Sequence, residues 1–176
     1  MTEALPIVRS AALEGYESLV RDLGLNAPSL LREMGIHPYC LRDPDTPLAA
    51  DAVGRLLESG ARLSGQSDFG LRLASRRGFD CLGLVSLVLR GEQTVSEALD
   101  CLIRYLRLLN PSLRLSVVPD GEYVRLQEML RGEGSSTWPQ AIELAVGVMH
   151  GILRELLGPH WRPVSVHFRH RGAVDF

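Results

Sequence analysis

Lysine is absent from this chain: all 19 of its basic residues are arginine. Chemistry that needs a primary amine on the protein is lost with it. A phosphate-cradling P-loop, the lysine of a protein kinase and the Schiff base of a pyridoxal or aldolase-type enzyme are therefore excluded. The triplet Asp68-Phe69-Gly70, which mimics a kinase metal motif, is a chance match. Cysteine is scarce: Cys40, Cys81 and Cys101 are odd in number, scattered and never spaced as CxxC. They read as free thiols of a reducing compartment, not as a disulfide frame. The longest apolar runs, such as residues 82–89, fall far short of a membrane span, which needs ~20 residues. The first ten residues lack the charged-then-apolar pattern of a signal peptide. An excess of positive charge is missing too, since 21 acidic residues against 19 basic give a net charge of −2. No basic field is available to hold nucleic acid. The expectation is a soluble, cytoplasmic protein with no membrane partner.

What is present is ordinary for a globular chain. Apolar residues at 45% and charged residues at 23% argue against disorder. A length of 176 residues fits one domain able to bury its own core, so residues 1–176 are expected to form a single unit.

The first half carries helical spacing. Ala12, Tyr16, Leu19, Val20 and Leu23 mark a first helix from Arg9, stopped by Gly24. Asn26 caps a second, which Gly35 ends, and the proline-rich stretch 38–47 reads as a loop. Val53, Leu56, Leu57 and Leu63 mark a third, with Gly60 placed for close packing. Ser67 is set to cap a fourth through Phe69, Leu73 and Ala74. The run 82–89, nearly all apolar, is expected to be buried on every side. Thr94-Val95-Ser96-Glu97 is a capping box opening a helix with Ala98, Leu102, Tyr105, Leu106 and Leu109 inward, and Pro111 ends it. Cys101 reads as core packing on that helix.

The period then changes to two. Leu113, Leu115 and Val117, the turn Pro119-Asp120-Gly121, then Val124 and Leu126 predict a β-hairpin with one buried face. A flexible stretch, 132–136, leads to a second capping box from Thr137 to Gln140, with Pro139 in the first turn. The helix it opens puts Ile142, Ala145, Val146, Met149, Leu153 and Leu156 inward, and Gly158-Pro159 ends it. Val164, Val166 and Phe168 alternate as a third strand, and the sequence stops soon after, which reads as a cut in a longer chain. The fold class expected is α+β and helix-rich, several helices packed on a small antiparallel sheet.

Catalytic constellations are weak. His167 and His170, three apart on a strand, point to opposite faces, and His150 has no partner at helical spacing. There is no GxSxG elbow and no cysteine in an activating context. No catalytic residue, metal ligand or cofactor is nominated. The stretch 25–33 mimics a helix-turn-helix but offers only Arg32 beside Glu33 for DNA contact. Arginines are more promising, because a guanidinium at a pocket mouth suits a carboxylate or phosphate. Arg76, Arg104, Arg125 and Arg169, with Tyr105, are nominated around a pocket, and Tyr16 and Gln140 as polar contacts. The competing reading makes each arginine a surface residue or pairs it with a local acid such as Glu97, Asp100 or Glu128.

Taken as a whole, the blocks RSAALEGYESLVRDLGLNAPSLLREMGI (9–36), LRDPDTPL (41–48), SDFGLRLASRRGFDCLGLVSLVLRGEQTVSEALDCLIRYLRLLN (67–110) and AIELAVGVMHGILRELLGPHWRPVSVHFRH (141–170) resemble the N-terminal regulatory domain of AraC/XylS-type bacterial transcription regulators. The resemblance is to the arabinose-binding-like, non-cupin branch. It implies an effector-binding domain that is not an enzyme, with an unidentified small molecule and a second copy of itself as partners. It implies DNA contact only through a C-terminal helix-turn-helix domain absent from this chain. The alternative it leaves open is a dimerisation domain that needs no ligand.

Overall fold

The computed structural model describes residues 6–131 and 138–170. The chain is α+β and helix-rich, as its patterning predicts. Its helices are α1 (Tyr16–Asp22), α2 (Ala27–Glu33), α3 (Ala50–Ser64), α4 (Phe69–Ala74), α5 (Leu84–Gly91), α6 (Val95–Leu109) and α7 (Pro139–Leu157). Its strands are β1 (Ile7–Arg9), β2 (Pro47–Ala49), β3 (Leu113–Asp120) and β4 (Tyr123–Leu130).

Local chemistry sets most boundaries. Gly15, at φ +79°, breaks the expected first helix into a short 3-10 turn (Ser10–Leu13) and α1. The Asn26 side chain accepts from Ser29 N at 2.9 Å and starts α2. Thr94 and Glu97 close both arms of their capping box. At α4 the expected cap is replaced: Asp68 holds the N-cap position and binds Arg72 at 2.6 Å, while the Ser67 carbonyl accepts from Gln140 Nε2 at 2.9 Å.

Three expectations are corrected. The sheet is two separate antiparallel pairs, not one three-stranded layer: Val8 sits opposite Leu48, and Leu115 opposite Glu128. Residues 164–168 form no strand; Val164 is 79% exposed, and alternation without a neighbouring strand cannot build a ladder. The α5 helix is not buried all round. It packs through Ser86 and Leu89 and turns Leu84, Leu87 and Val88 outward. The stretch 132–136 and Thr137 lie outside the described residues.

Buried side chains gather in two clusters. The first joins α1 to α4, β1 and β2 around Tyr16, Leu31, Leu56, Leu57 and Phe69. The second joins α5, α6 and β3 around Leu89, Leu102, Leu106 and Leu115. Helix α7 belongs to both, giving Leu144 to the first and Met149, Ile152 and Leu153 to the second. Its N-terminal half lies almost backbone to backbone on α4. A Cβ at Gly70 would stand 2.1 Å from the Gln140 carbonyl oxygen, and one at Gly147 would stand 2.5 Å from Ala74 Cβ. Gln140 locks the contact, its Oε1 accepting from Gly70 N at 2.7 Å.

Gly70→Ala is therefore expected to destabilise the fold by about 3 kcal/mol or more, because backbone must move to admit one methyl. Gly151→Ala, on the same helix α7 with nothing near its Cβ position, should instead stabilise by up to about 1 kcal/mol through helix propensity. Urea denaturation of the two variants checks the pair, and similar midpoints for both would contradict the close-packing account.

Candidate functional site

A cavity of about 130 Å³ lies at the seam between the two clusters. Val53 and Leu57 of α3 wall it on one side, Leu102 and Leu106 of α6 on the other, and Leu144 and Met149 of α7 span both. Few polar groups reach this apolar surface. They include Arg9 of β1, Arg77 beyond α4, Glu128 of β4 and Arg131 just after it.

Glu128 is placed there by strand parity. Leu113, Leu115 and Val117 face inward from β3 and pair with Leu130, Glu128 and Leu126 of β4, so the carboxylate takes a position in an otherwise apolar row. Both its oxygens are sealed from solvent, and no described residue hydrogen-bonds either one. Burial alone pushes its carboxyl pKa up to about 7. The local pairing with an arginine that the sequence allowed does not form among the described residues.

Arg77 donates from Nη2 to the Ala11 carbonyl at 3.1 Å, and its Nε is buried without a partner. The Cys81 thiol, also on the cavity wall, is pushed up by burial and held back by Arg77. Arg9 is occupied by Asp45, to which its Nε donates at 2.7 Å. Such a site can hold an apolar body, with one acidic residue and three arginines among the residues of its wall. Among the described residues there is no group of three or more His, Cys, Asp and Glu side chains fit to hold a metal ion.

The seven residues nominated from sequence are dispersed, and none lines this cavity. Arg76 pairs with Asp22 at 2.8 Å and with Ser18 Oγ at 3.2 Å. Arg125 pairs with Asp120 near the hairpin turn, and Arg104 and Arg169 are exposed. Tyr105 packs against the second cluster. Tyr16 is fully buried edge-on to Phe69, its hydroxyl without a partner and its pKa raised by that burial. Gln140 spends its amide on Gly70 and Ser67, and its backbone N–H on Glu58 at 2.8 Å. Beside it, Glu143, 1% exposed, is joined to His170 at 3.0 Å. Burial pushes the Glu143 carboxyl up, and His170 pulls it back. The residue that sequence reasoning passed over is Glu128. Counting strand parity two places past Leu126 would have found it.

A family model for the N-terminal arabinose-binding domain of AraC transcription regulators matches residues 24–175. The chain belongs to this family. The HTH-type transcriptional regulator VirS of Mycobacterium tuberculosis, in each of two strains, is 31% identical over 166 residues, 93% of this chain and 49% of that protein. This AraC-type domain thus spans about half the length of the curated relatives it matches. Among its described residues, no helix is long and apolar enough to cross a membrane.

The AraC-type domain carries a stability signature at Glu128. Unfolded, this carboxyl titrates near 4.5; folded, near 7. Between those values the folded state binds more protons, so stability falls as pH rises through the window and stays low above it. Glu128→Leu should remove this slope and raise stability above pH 7 by about 3 kcal/mol, read as a melting temperature higher by about 5–10 °C. A variant that melts lower than the parent at every pH would contradict the assignment.

Proposed function

We propose that this chain is the sensing module of a transcription regulator, binding a small-molecule effector in the cavity between its two cores. The observation that carries the reading is the sealed, unpartnered Glu128 carboxylate in an apolar wall, a costly arrangement that a ligand donor would relieve. The family description names arabinose. A pentose bears a hydroxyl on nearly every carbon and needs many polar partners, whereas this lining offers an apolar body few polar contacts. The effector is therefore an amphiphile and not a sugar. It is bound and released unchanged, in the cytoplasm, and DNA is contacted through a helix-turn-helix region outside this chain, in keeping with the name of those relatives.

The module also dimerises. Leu84, Leu87 and Val88, at i, i+3 and i+4 on α5, form an outward stripe, with Leu84 82% and Leu87 65% exposed. A second copy would cover it. The same stripe supports the alternative reading, an interaction domain that pairs without any ligand.

A thermal-shift screen over amines, carboxylates, amino acids and sugars separates the two. At a ligand concentration of about 100 times Kd, stabilisation should reach about 2.7 kcal/mol. The shift should shrink in Ala145→Leu, which fills part of the cavity wall, while that variant melts no lower than the parent. Sedimentation should show a dimer that Leu87→Glu converts to monomer. A constant dimer with no ligand shift across the panel would leave the interaction-only reading standing.

A further inference from the structure

The inference rests on the effector reading and narrows it to a ligand class. Glu128 is one of the residues lining the cavity, from β4, and both its oxygens are sealed and unbonded by any described residue. The other charged or titratable groups on the cavity wall are Arg9 of β1, Arg77 beyond α4, Cys81 of the 3-10 turn Phe79–Leu82, and Arg131 after β4. Helices α3, α6 and α7 turn apolar residues to the same space. None of those guanidiniums hydrogen-bonds the carboxylate.

We infer that the effector carries a cationic nitrogen, an amine or amidine on a short apolar body, and that this nitrogen docks on Glu128, whose side chain turns its sealed carboxylate toward the ligand as it binds. A carboxylate only accepts, through two oxygens, and an ammonium brings three donors to them. A neutral carbonyl or ether would use the single O–H of the protonated acid and leave the second oxygen unbonded. An anionic head repels Glu128 and belongs with the arginines. Away from water, the charge-assisted bond is also the strongest of the three. The cavity volume, about 130 Å³, suits a body close in size to benzene, which fills an apolar cavity of about 150 Å³.

The test is calorimetric titration of the chain and of Glu128→Gln with n-hexylamine, n-hexanol and n-hexanoate, which share one body and differ in the head. Hexylamine should bind about 30-fold more tightly than hexanol at about pH 8. Its affinity should rise about tenfold from about pH 6 to about pH 8, as the competent, ionised carboxylate becomes populated. In Glu128→Gln, hexylamine should fall to the level of hexanol and lose its pH dependence, while the variant melts no lower than the parent. Hexanol or hexanoate binding as tightly as hexylamine, or undiminished hexylamine binding by Glu128→Gln, would overturn the amine class and leave the effector reading intact. Silence from all three probes also overturns the amine class, and the thermal screen then decides separately whether the cavity binds any effector.

Discussion

The arrangement depends on one close contact, the seating of α7 on α4. Two helices that carry ordinary side chains stand about 8–10 Å apart. Here Gly70 and Gly147 remove the side chains at the crossing, and the Gln140 amide bridges to Gly70 N and Ser67 O. The contact fixes the first half of α7 in one cluster and so dictates where its second half, with Met149, Ile152 and Leu153, meets the other. A helix shared by two cores cannot satisfy both perfectly, and the cavity lies along that seam. The same helix lines the cavity and takes part in both clusters.

Glu128 gives the seam its chemistry. Native domains are stable by only about 5–15 kcal/mol, and a sealed carboxyl without a partner consumes a sizeable share of that margin. Stability alone favours leucine at this point of β4, between Leu126 and Leu130. A residue that lowers the stability of the fold while lining its cavity is the kind of local conflict expected where a protein binds something. The Glu143–His170 pair shows the contrast, since that buried acid has been given a partner.

Much of the fold was legible because it is written in local chemistry. The Asn26 cap, the Thr94–Glu97 box and the period-two alternation of the hairpin each act within a few residues. What was not legible is non-local. The pair β1–β2 has three residues a strand and joins Val8 to Leu48 across the chain, so no window of sequence contains it. Residues 164–168 alternate correctly, yet a strand needs a neighbour that alternation cannot supply. The run 82–89 is apolar enough for full burial, but one packed face was all that α5 was given. At the site, charge drew attention to arginines that turned out to have local carboxylate partners, as Arg76 and Arg125 do. The informative residue was the acid whose strand parity put it on the wrong side.

The most direct measurement is a carbon-13 NMR titration of the glutamate carboxyls, with Glu128→Gln used to assign one resonance. The account predicts that the resonance missing from the variant titrates with a midpoint near 7 in the parent. A Glu128 midpoint in the ordinary glutamate range, near 4.5, would show the carboxylate already satisfied and would contradict the account.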